Sequence, residues 1–376
     1  MYRRTAGALM LALAATVAGS VPAAAEAVAG WTVEKIPKFT TANDLVAVTA
    51  LNPTDAWSVG SRTTAEGAEA SLTLHWDGRT WTNVPSPGAA RLNGVSASGS
   101  ADVWAVGSTI DGARSVIQRW NGRAWSLVEH VAATPASPLT LSSVLALGPG
   151  NAVAVGFRGD GLVTTPHAQH WDGRRWVERP VPNPDGAAVM LTSVVAGPTG
   201  PYATGFVVTP DFTFRPYVAR WDGVRWTSLK VPATISGAFA DLVVLAPDRF
   251  VAVGSDLVPT SPDPVPVVVS YSGGTWTRET VPVANAELDA VTVDRRGNLL
   301  AAGARIGPGG HDDRQPLVLR RQPHGWSAEP LSPTGAAGIR DLAAVPGSGT
   351  ALAVGATGVT DETHRSLVLR RPGPAG

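Results

Sequence analysis

Short apolar runs that close on a glycine recur along the chain at a nearly constant interval. The phrases are Ala-Trp-Ser-Val-Gly60, Val-Trp-Ala-Val-Gly107, Val-Ala-Val-Gly156, Tyr-Ala-Thr-Gly205, Val-Ala-Val-Gly254, Leu-Ala-Ala-Gly303 and Leu-Ala-Val-Gly355, spaced 47, 49, 49, 49, 49 and 52 residues apart. A second phrase follows the first in each unit. It runs Trp76-Asp77-Gly78-Arg79-Thr80-Trp81, recurs at Trp120-Asn121-Gly122…Trp125, Trp171-Asp172-Gly173…Trp176 and Trp221-Asp222-Gly223…Trp226, then decays to Tyr271…Trp276 and Gly325-Trp326. Within a unit the apolar segments are too short for a helix and are separated by turn residues. In the second unit they predict strand A over 91–98, strand B over 103–108, strand C over 115–120 and strand D over 124–129, with Asn121-Gly122 as the hairpin turn. Four antiparallel strands repeated about every fifty residues predict an all-β fold, a seven-bladed β-propeller.

The last unit reaches Ser366-Leu367-Val368-Leu369-Arg370 as strand C and has no strand D. The missing pattern stands at the other end of the chain, as Trp31-Thr32-Val33-Glu34. From Trp31 through Trp81, Trp125, Trp176, Trp226 and Trp276 to Trp326 the steps are 50, 44, 51, 50, 50 and 50. The N-terminal strand is therefore expected to close the last blade and remove its open edge. The thirteen Trp residues fall in these phrases or at Trp31, which marks Trp31, Trp76, Trp81, Trp120, Trp125, Trp171, Trp176, Trp221, Trp226, Trp276 and Trp326 as a structural set packed between strands.

Composition agrees with this reading. Gly (41) and Pro (31) together disfavour long helices, and 44% hydrophobic with 16% charged residues supplies a core and too little charge for disorder. Thirty basic residues balance thirty acidic ones, so nucleic acid is not an expected partner. Arg3 and Arg4 precede an apolar run from Ala6 to Val17, and Ala25-Glu26-Ala27 offers a cleavage site. Residues 1–27 thus read as a secretory signal peptide and 28–376 as one propeller domain. The run is shorter than a membrane span needs, and with no Cys there is neither a lipid anchor nor a disulfide. The expectation is a secreted, extracellular monomer.

The order Gly60…Trp76-Asp77…Trp81…Pro85 resembles the kelch repeat of kelch and galactose-oxidase-like propellers, over residues 30–371. A single residue pair, Val-Gly or Ala-Gly, stands where kelch repeats carry a Gly pair. The phrase is also similar to the Asp-box of sialidases, with Trp81 one position nearer to Asp77 than that motif places it. The resemblance implies the fold; the families include oxidases, glycosidases and interaction modules. Galactose-oxidase chemistry needs a Tyr–Cys cross-link that a chain without Cys lacks, and a sialidase-like nucleophile leaves only Tyr217 as a candidate.

Candidate chemistry is sparse. His75 and His170 share their repeat position with Arg119, Arg220, Ser270, Arg320 and Arg370, and read as solvated strand positions, as do the charges of Arg320-Arg321 and Arg370-Arg371. Asp77, Asn121, Asp172 and Asp222 read as turn formers. The B–C and D–A connections share one face and look long and variable, so the functional face is expected there. On it, His311, Asp312 and Asp313 with Asp361, Glu362 and His364 are a candidate divalent-cation site. Arg158-Gly159-Asp160 reads as a tight turn there. At the start of each strand A, aligned on Leu-x-x-Val, Asn93, Ser142, Thr192, Asp241, Asp289, Arg340 and Asp341 are candidate ligand-binding residues around the central channel. Of these, Asp289, Arg340 and Asp241 are the candidates for catalysis. The leading expectation is a non-enzymatic scaffold without a resident cofactor that binds an extracellular protein or carbohydrate. The alternative is a hydrolase or lyase acting on a polysaccharide or other polar substrate at the channel mouth.

Overall fold

The structure, a computed structural model, describes residues 30–373 apart from 89, 110–113, 131–136, 160–162, 257–262, 332–334 and 359–362. The signal-peptide segment, Asp160, Asp361 and Glu362 lie outside the described residues, as do the side chains of His311 and Asp312.

Among the described residues twenty-eight strands form seven four-stranded sheets. After β1 (Thr32–Val33), blade 1 is β2 (Asn43–Asn52), β3 (Asp55–Thr63), β4 (Glu69–Trp76) and β5 (Trp81–Asn83). Blade 2 is β6 (Ala90–Gly99), β7 (Asp102–Thr109), β8 (Ser115–Trp120) and β9 (Trp125–Leu127). Blade 3 is β10 (Leu139–Gly148), β11 (Asn151–Arg158), β12 (Thr165–Trp171) and β13 (Trp176–Glu178). Blade 4 is β14 (Ala188–Val195), β15 (Tyr202–Val208), β16 (Phe214–Trp221) and β17 (Trp226–Leu229). Blade 5 is β18 (Ala238–Ala246), β19 (Arg249–Asp256), β20 (Val265–Ser272) and β21 (Thr275–Arg278). Blade 6 is β22 (Ala286–Val293), β23 (Leu299–Gly307), β24 (Gly310–Gln322) and β25 (Gly325–Ala328). Blade 7 is β26 (Ala337–Ala344), β27 (Ala351–Thr357) and β28 (Arg365–Arg371), completed by β1, which pairs antiparallel to β28 through Thr32↔Arg370 and Val33↔Leu369. The predicted closure of the ring is the observed one.

The Trp phrases make the outer hairpins. Trp76 pairs with Trp81, Trp120 with Trp125, Trp171 with Trp176 and Trp221 with Trp226 across the C–D turn, with ring centroids 5.7–6.0 Å apart. The intervening Asp or Asn makes an Asx turn: Asp77 Oδ1 accepts the amides of Arg79 and Thr80 at 2.8 Å, while Gly78 takes φ 95°. The core lies between blades. Trp57 of blade 1 meets Trp120 and Trp125 of blade 2 at 5.0 and 5.3 Å, and Trp104 of blade 2 meets Trp171 and Trp176 of blade 3 at 5.2 Å.

The recurring glycine has a cause that composition does not reveal. In every blade the first strand carries a β-bulge just after its conserved-pattern apolar residue, so that Leu45 pairs with Gly60 but Ala47 with Val59, and likewise in the other six. The bulge presses a backbone carbonyl onto the second strand. A Cβ at Gly107 would stand 1.9 Å from the Arg91 carbonyl oxygen, and one at Gly205 1.9 Å from that of Met190. Glycine is needed for the close approach rather than for an unusual φ.

Three expectations are corrected. The B–C connections are shorter than the sequence suggests, because the hairpins keep pairing to Thr63↔Glu69, Val208↔Phe214 and Thr357↔Arg365. In blade 6 β23 and β24 meet at a turn of Pro308 and Gly309, which puts residues 311–313 on a strand and not in a loop. The position before Trp-Asp-Gly is not simply solvated: His75 stacks on Trp57 at 4.3 Å, His170 lies 4.3 Å from Trp221, and the Arg119 guanidinium sits 4.8 Å over Trp104. Arg371 is likewise buried rather than solvated, 3.0 Å from Glu329, which also accepts the Trp31 indole N–H at 2.8 Å.

Candidate functional site

The bulge also builds the central channel. It leaves Val46, Asn93, Ser142, Thr192, Ala240, Asp289 and Arg340 unpaired at one level of the ring, and all seven line a cavity of about 350 Å³ together with Asp241 and Asp341. Every residue expected at the channel is thus brought together there. The alignment on Leu-x-x-Val had mixed two positions, the bulged residue and the one after it, and the bulge is what lets both reach the cavity.

Much of this polar lining ties blades to one another. The residue after the bulge reaches the backbone of the next blade: the Val48 amide donates to Asp341 Oδ2 at 2.7 Å, the Val194 amide to Ser143 Oγ at 3.2 Å and the Val291 amide to Asp241 Oδ2 at 2.9 Å. Asp241 Oδ1 accepts from Ser193 Oγ at 2.7 Å, so this carboxylate joins blades 4, 5 and 6. Asn93 donates to the Leu141 carbonyl at 2.9 Å and Thr192 to that of Phe239 at 3.0 Å. Asp289 differs. It stands 3.9 Å from the Arg340 guanidinium and accepts no backbone amide among the described contacts.

Burial dominates the electrostatics. It raises Asp241 to about 6 against the amide and hydroxyl donors that stabilise its charge. It raises Asp289 to about 6 against the attraction of Arg340. Asp341 is pushed up to about 8 by burial, with the charge of Asp241 adding to it. The neighbouring Arg314, which pairs with Glu287, is lowered to about 10 by burial and by Arg340.

The face made by the B–C and D–A connections carries a second cavity, about 220 Å³, where blades 7, 1 and 2 meet. Asp44, Arg62, Glu69, Arg91 and His364 line it, and it shares Val46 and Asn93 with the channel. Arg91 and Glu69 form a two-point ion pair, and Asp44 Oδ1 accepts from Ser61 Oγ at 2.7 Å.

The other candidates lie elsewhere. Among the described residues no group of three or more His, Asp or Glu side chains is arranged to hold a metal, and of the six proposed cation ligands only the side chains of Asp313 and His364 are described. Tyr217 is a core residue whose hydroxyl donates to the Pro182 carbonyl at 2.6 Å and whose pKa burial raises, which removes it as a nucleophile. Arg158 pairs with Glu178 at 3.5 Å, and Gly159 takes φ 92° as the tight-turn reading requires. No helix among the described residues is long and apolar enough to cross a membrane.

No protein-family profile matches the chain, and no curated protein matches it. Solved structures do. YCF48 from Cyanidioschyzon merolae is similar over 92% of this chain and 99% of that one, with a TM-score of 0.59 and 16% identity. YCF48 bound to D1 peptide covers 91% and 95% with a TM-score of 0.58 and 15% identity. A polysaccharide lyase, the PL25 ulvan lyase bound to -[GlcA(1-4)Rha3S]-, covers 90% and 97% with a TM-score of 0.58 and 9% identity. At these identities the likeness is one of fold, and it joins a peptide-bound propeller and a lyase alike.

Proposed function

We propose that this protein is a secreted propeller scaffold, monomeric and kelch-like in its repeats, that binds an extracellular protein or carbohydrate on the face formed by its B–C and D–A connections. The observation that carries this reading is the cavity at the junction of blades 7, 1 and 2, where Arg62, Arg91, Glu69 and His364 gather beside the channel mouth. Polar groups of both signs, held on rigid strand ends, suit recognition of a polar chain. The peptide held by YCF48 is consistent with a partner of that kind. Purified protein is tested on glycan and peptide arrays: we expect saturable binding, weakened about tenfold by Arg62→Ser with His364→Ala at unchanged melting temperature. Binding indifferent to that pair would place the site elsewhere.

One observation favours a second reading. Asp289 is the channel carboxylate left without a backbone donor, raised to about 6 beside a cation, as a general acid or base at neutral pH would be. A hydrolase or lyase working there would show a bell-shaped pH–rate profile on a polyanionic or neutral polysaccharide panel, lost in Asp289→Asn. The cation idea for His311 and His364 is checked by metal analysis and by melting with and without chelator. No bound metal and no shift would remove it.

A further inference from the structure

Away from the channel, the D–A connection of blade 2 returns a histidine onto the first residue of β8. Ser115 Oγ lies 2.8 Å from His130 Nε2, and His130 Nδ1 lies 3.1 Å from the Val128 carbonyl oxygen. A carbonyl only accepts, so the tautomer that donates Nδ1–H to Val128 is the one that turns a bare Nε2 toward the serine hydroxyl, and it is the tautomer the reaction uses; the Ser115 backbone carbonyl is the competing acceptor for the ring. Burial lowers the His130 pKa, so the ring is neutral at pH 7 and able to take a proton.

The backbone supplies a further group. Thr109 donates its amide to the Arg114 carbonyl at 2.7 Å, which makes that pair the hydrogen-bonded one and the next, Ser108↔Ser115, the non-bonded one. The Ser115 amide therefore points away from β7. The repeat pattern agrees: blades 3 to 6 place Pro166, Pro216, Pro266 and Pro316 here, residues with no amide to give to the ladder. On the outer side β9 pairs with β8 only as far as Gln118↔Leu127, with one more bond from the Val128 amide to the Ile117 carbonyl, and so stops short of Ser115. The gap is a cavity of about 550 Å³ lined by Ser115 and His130, by Ala90, Ile117 and Leu127, and by Arg114.

We propose that Ser115 and His130 form an acyl-transfer site on the rim of blade 2 that hydrolyses carboxylic esters bearing a small apolar acyl group. Ser115 Oγ attacks the ester carbon as its proton passes to His130 Nε2, and the Ser115 amide faces the oxyanion. The carbon–oxygen bond to the alcohol breaks, His130 returns the proton to the leaving alkoxide, and an acyl-Ser115 ester remains. Water then adds to that ester, giving one proton to His130 and releasing the acid as Ser115 Oγ takes the proton back. Arg114 lines the same cavity as a cation for the departing carboxylate, and Ala90, Ile117 and Leu127 receive the acyl group.

This site lies at the blade 2 rim of the same face but in a different cavity from the one where Arg62, Arg91, Glu69 and His364 gather, and its test, covalent labelling and ester turnover, is independent of that reading. The full chain is treated with a fluorophosphonate probe and with p-nitrophenyl butyrate. We expect one covalent adduct, mapped by mass spectrometry to Ser115, and turnover lost at least a hundredfold in Ser115→Ala and in His130→Gln, with the wild-type rate falling at acid pH as His130 gains a proton. Adduct mapping on the wild-type protein decides the matter even if a variant folds poorly. Absence of an adduct on Ser115 together with turnover no faster than buffer, or turnover retained in folded Ser115→Ala, overturns the proposal.

Discussion

Single side chains at the channel make the protein's stability depend on pH in an unusual direction. Asp241, Asp289 and Asp341 all have folded-state pKa values raised above those of an unfolded chain. Between about pH 4 and the raised values the folded state holds more protons than the unfolded one, so stability falls as pH rises through that window and levels off above about pH 8. Burial lowers His167 and His170 to about 4, which opposes this trend up to about pH 6.5, so the fall in melting temperature is expected between about pH 6.5 and pH 8. Asp341→Asn should flatten much of that slope and stabilise the protein at pH 8 by about 1 kcal/mol or more, because an amide oxygen still accepts the Val48 N–H and has no charge to bury. A melting temperature that rises between pH 6.5 and pH 8 would contradict the assignment. At the same scale, Gly205→Ala should cost about 3 kcal/mol, the upper end for an added methyl, since it has nowhere to go against the Met190 carbonyl, measurable by denaturant unfolding. Trp125→Ala, which empties a buried indole site between blades 1 and 2, should cost about 3–5 kcal/mol.

Strands were legible in the sequence wherever turn chemistry punctuates them, and less so where pairing alone sets their length. In blade 2 the predicted 115–120 is the observed β8, and Asn121-Gly122 is its turn, because Asx-Gly fixes the hairpin locally. The predicted 124–129 shrinks to Trp125–Leu127, since the outer strand leaves the ladder to reach the next blade. His311, Asp312 and Asp313 read as part of a B–C connection, yet cross-strand pairing carries β23 and β24 almost to the turn. The bulge was visible only as two positions competing for one alignment slot: Asp289 and Arg340 occupy one, Asp241 and Asp341 the other. Ser115 and His130 left no trace, since fifteen residues, an outer strand and a connection separate them, and only the fold brings them to 2.8 Å.

For the whole ring, closure rests on a strand of two residues. Trp31 contributes more than β1's ladder does: its indole is buried among residues of blades 6 and 7 and donates to Glu329, which in turn pairs with Arg371. Removing residues 28–38 should leave the outer edge of β28 unpaired and give an oligomeric or insoluble product by size-exclusion chromatography; a soluble monomer with an unchanged melting profile would refute the closure. Trp31→Ala is the milder version, expected to lower the melting temperature while the ring still closes. The seam also has a kinetic meaning. Thr32 and Arg370 are 338 residues apart, and tying a chain end across that distance costs about 1.7 kcal/mol more in entropy than a contact within one fifty-residue repeat. The seam should be the last part of the ring to form and the first to come apart. At high protein concentration β1 of one molecule can complete blade 7 of another without loss of a single native contact, so slow exchange into domain-swapped dimers is the failure mode this architecture invites.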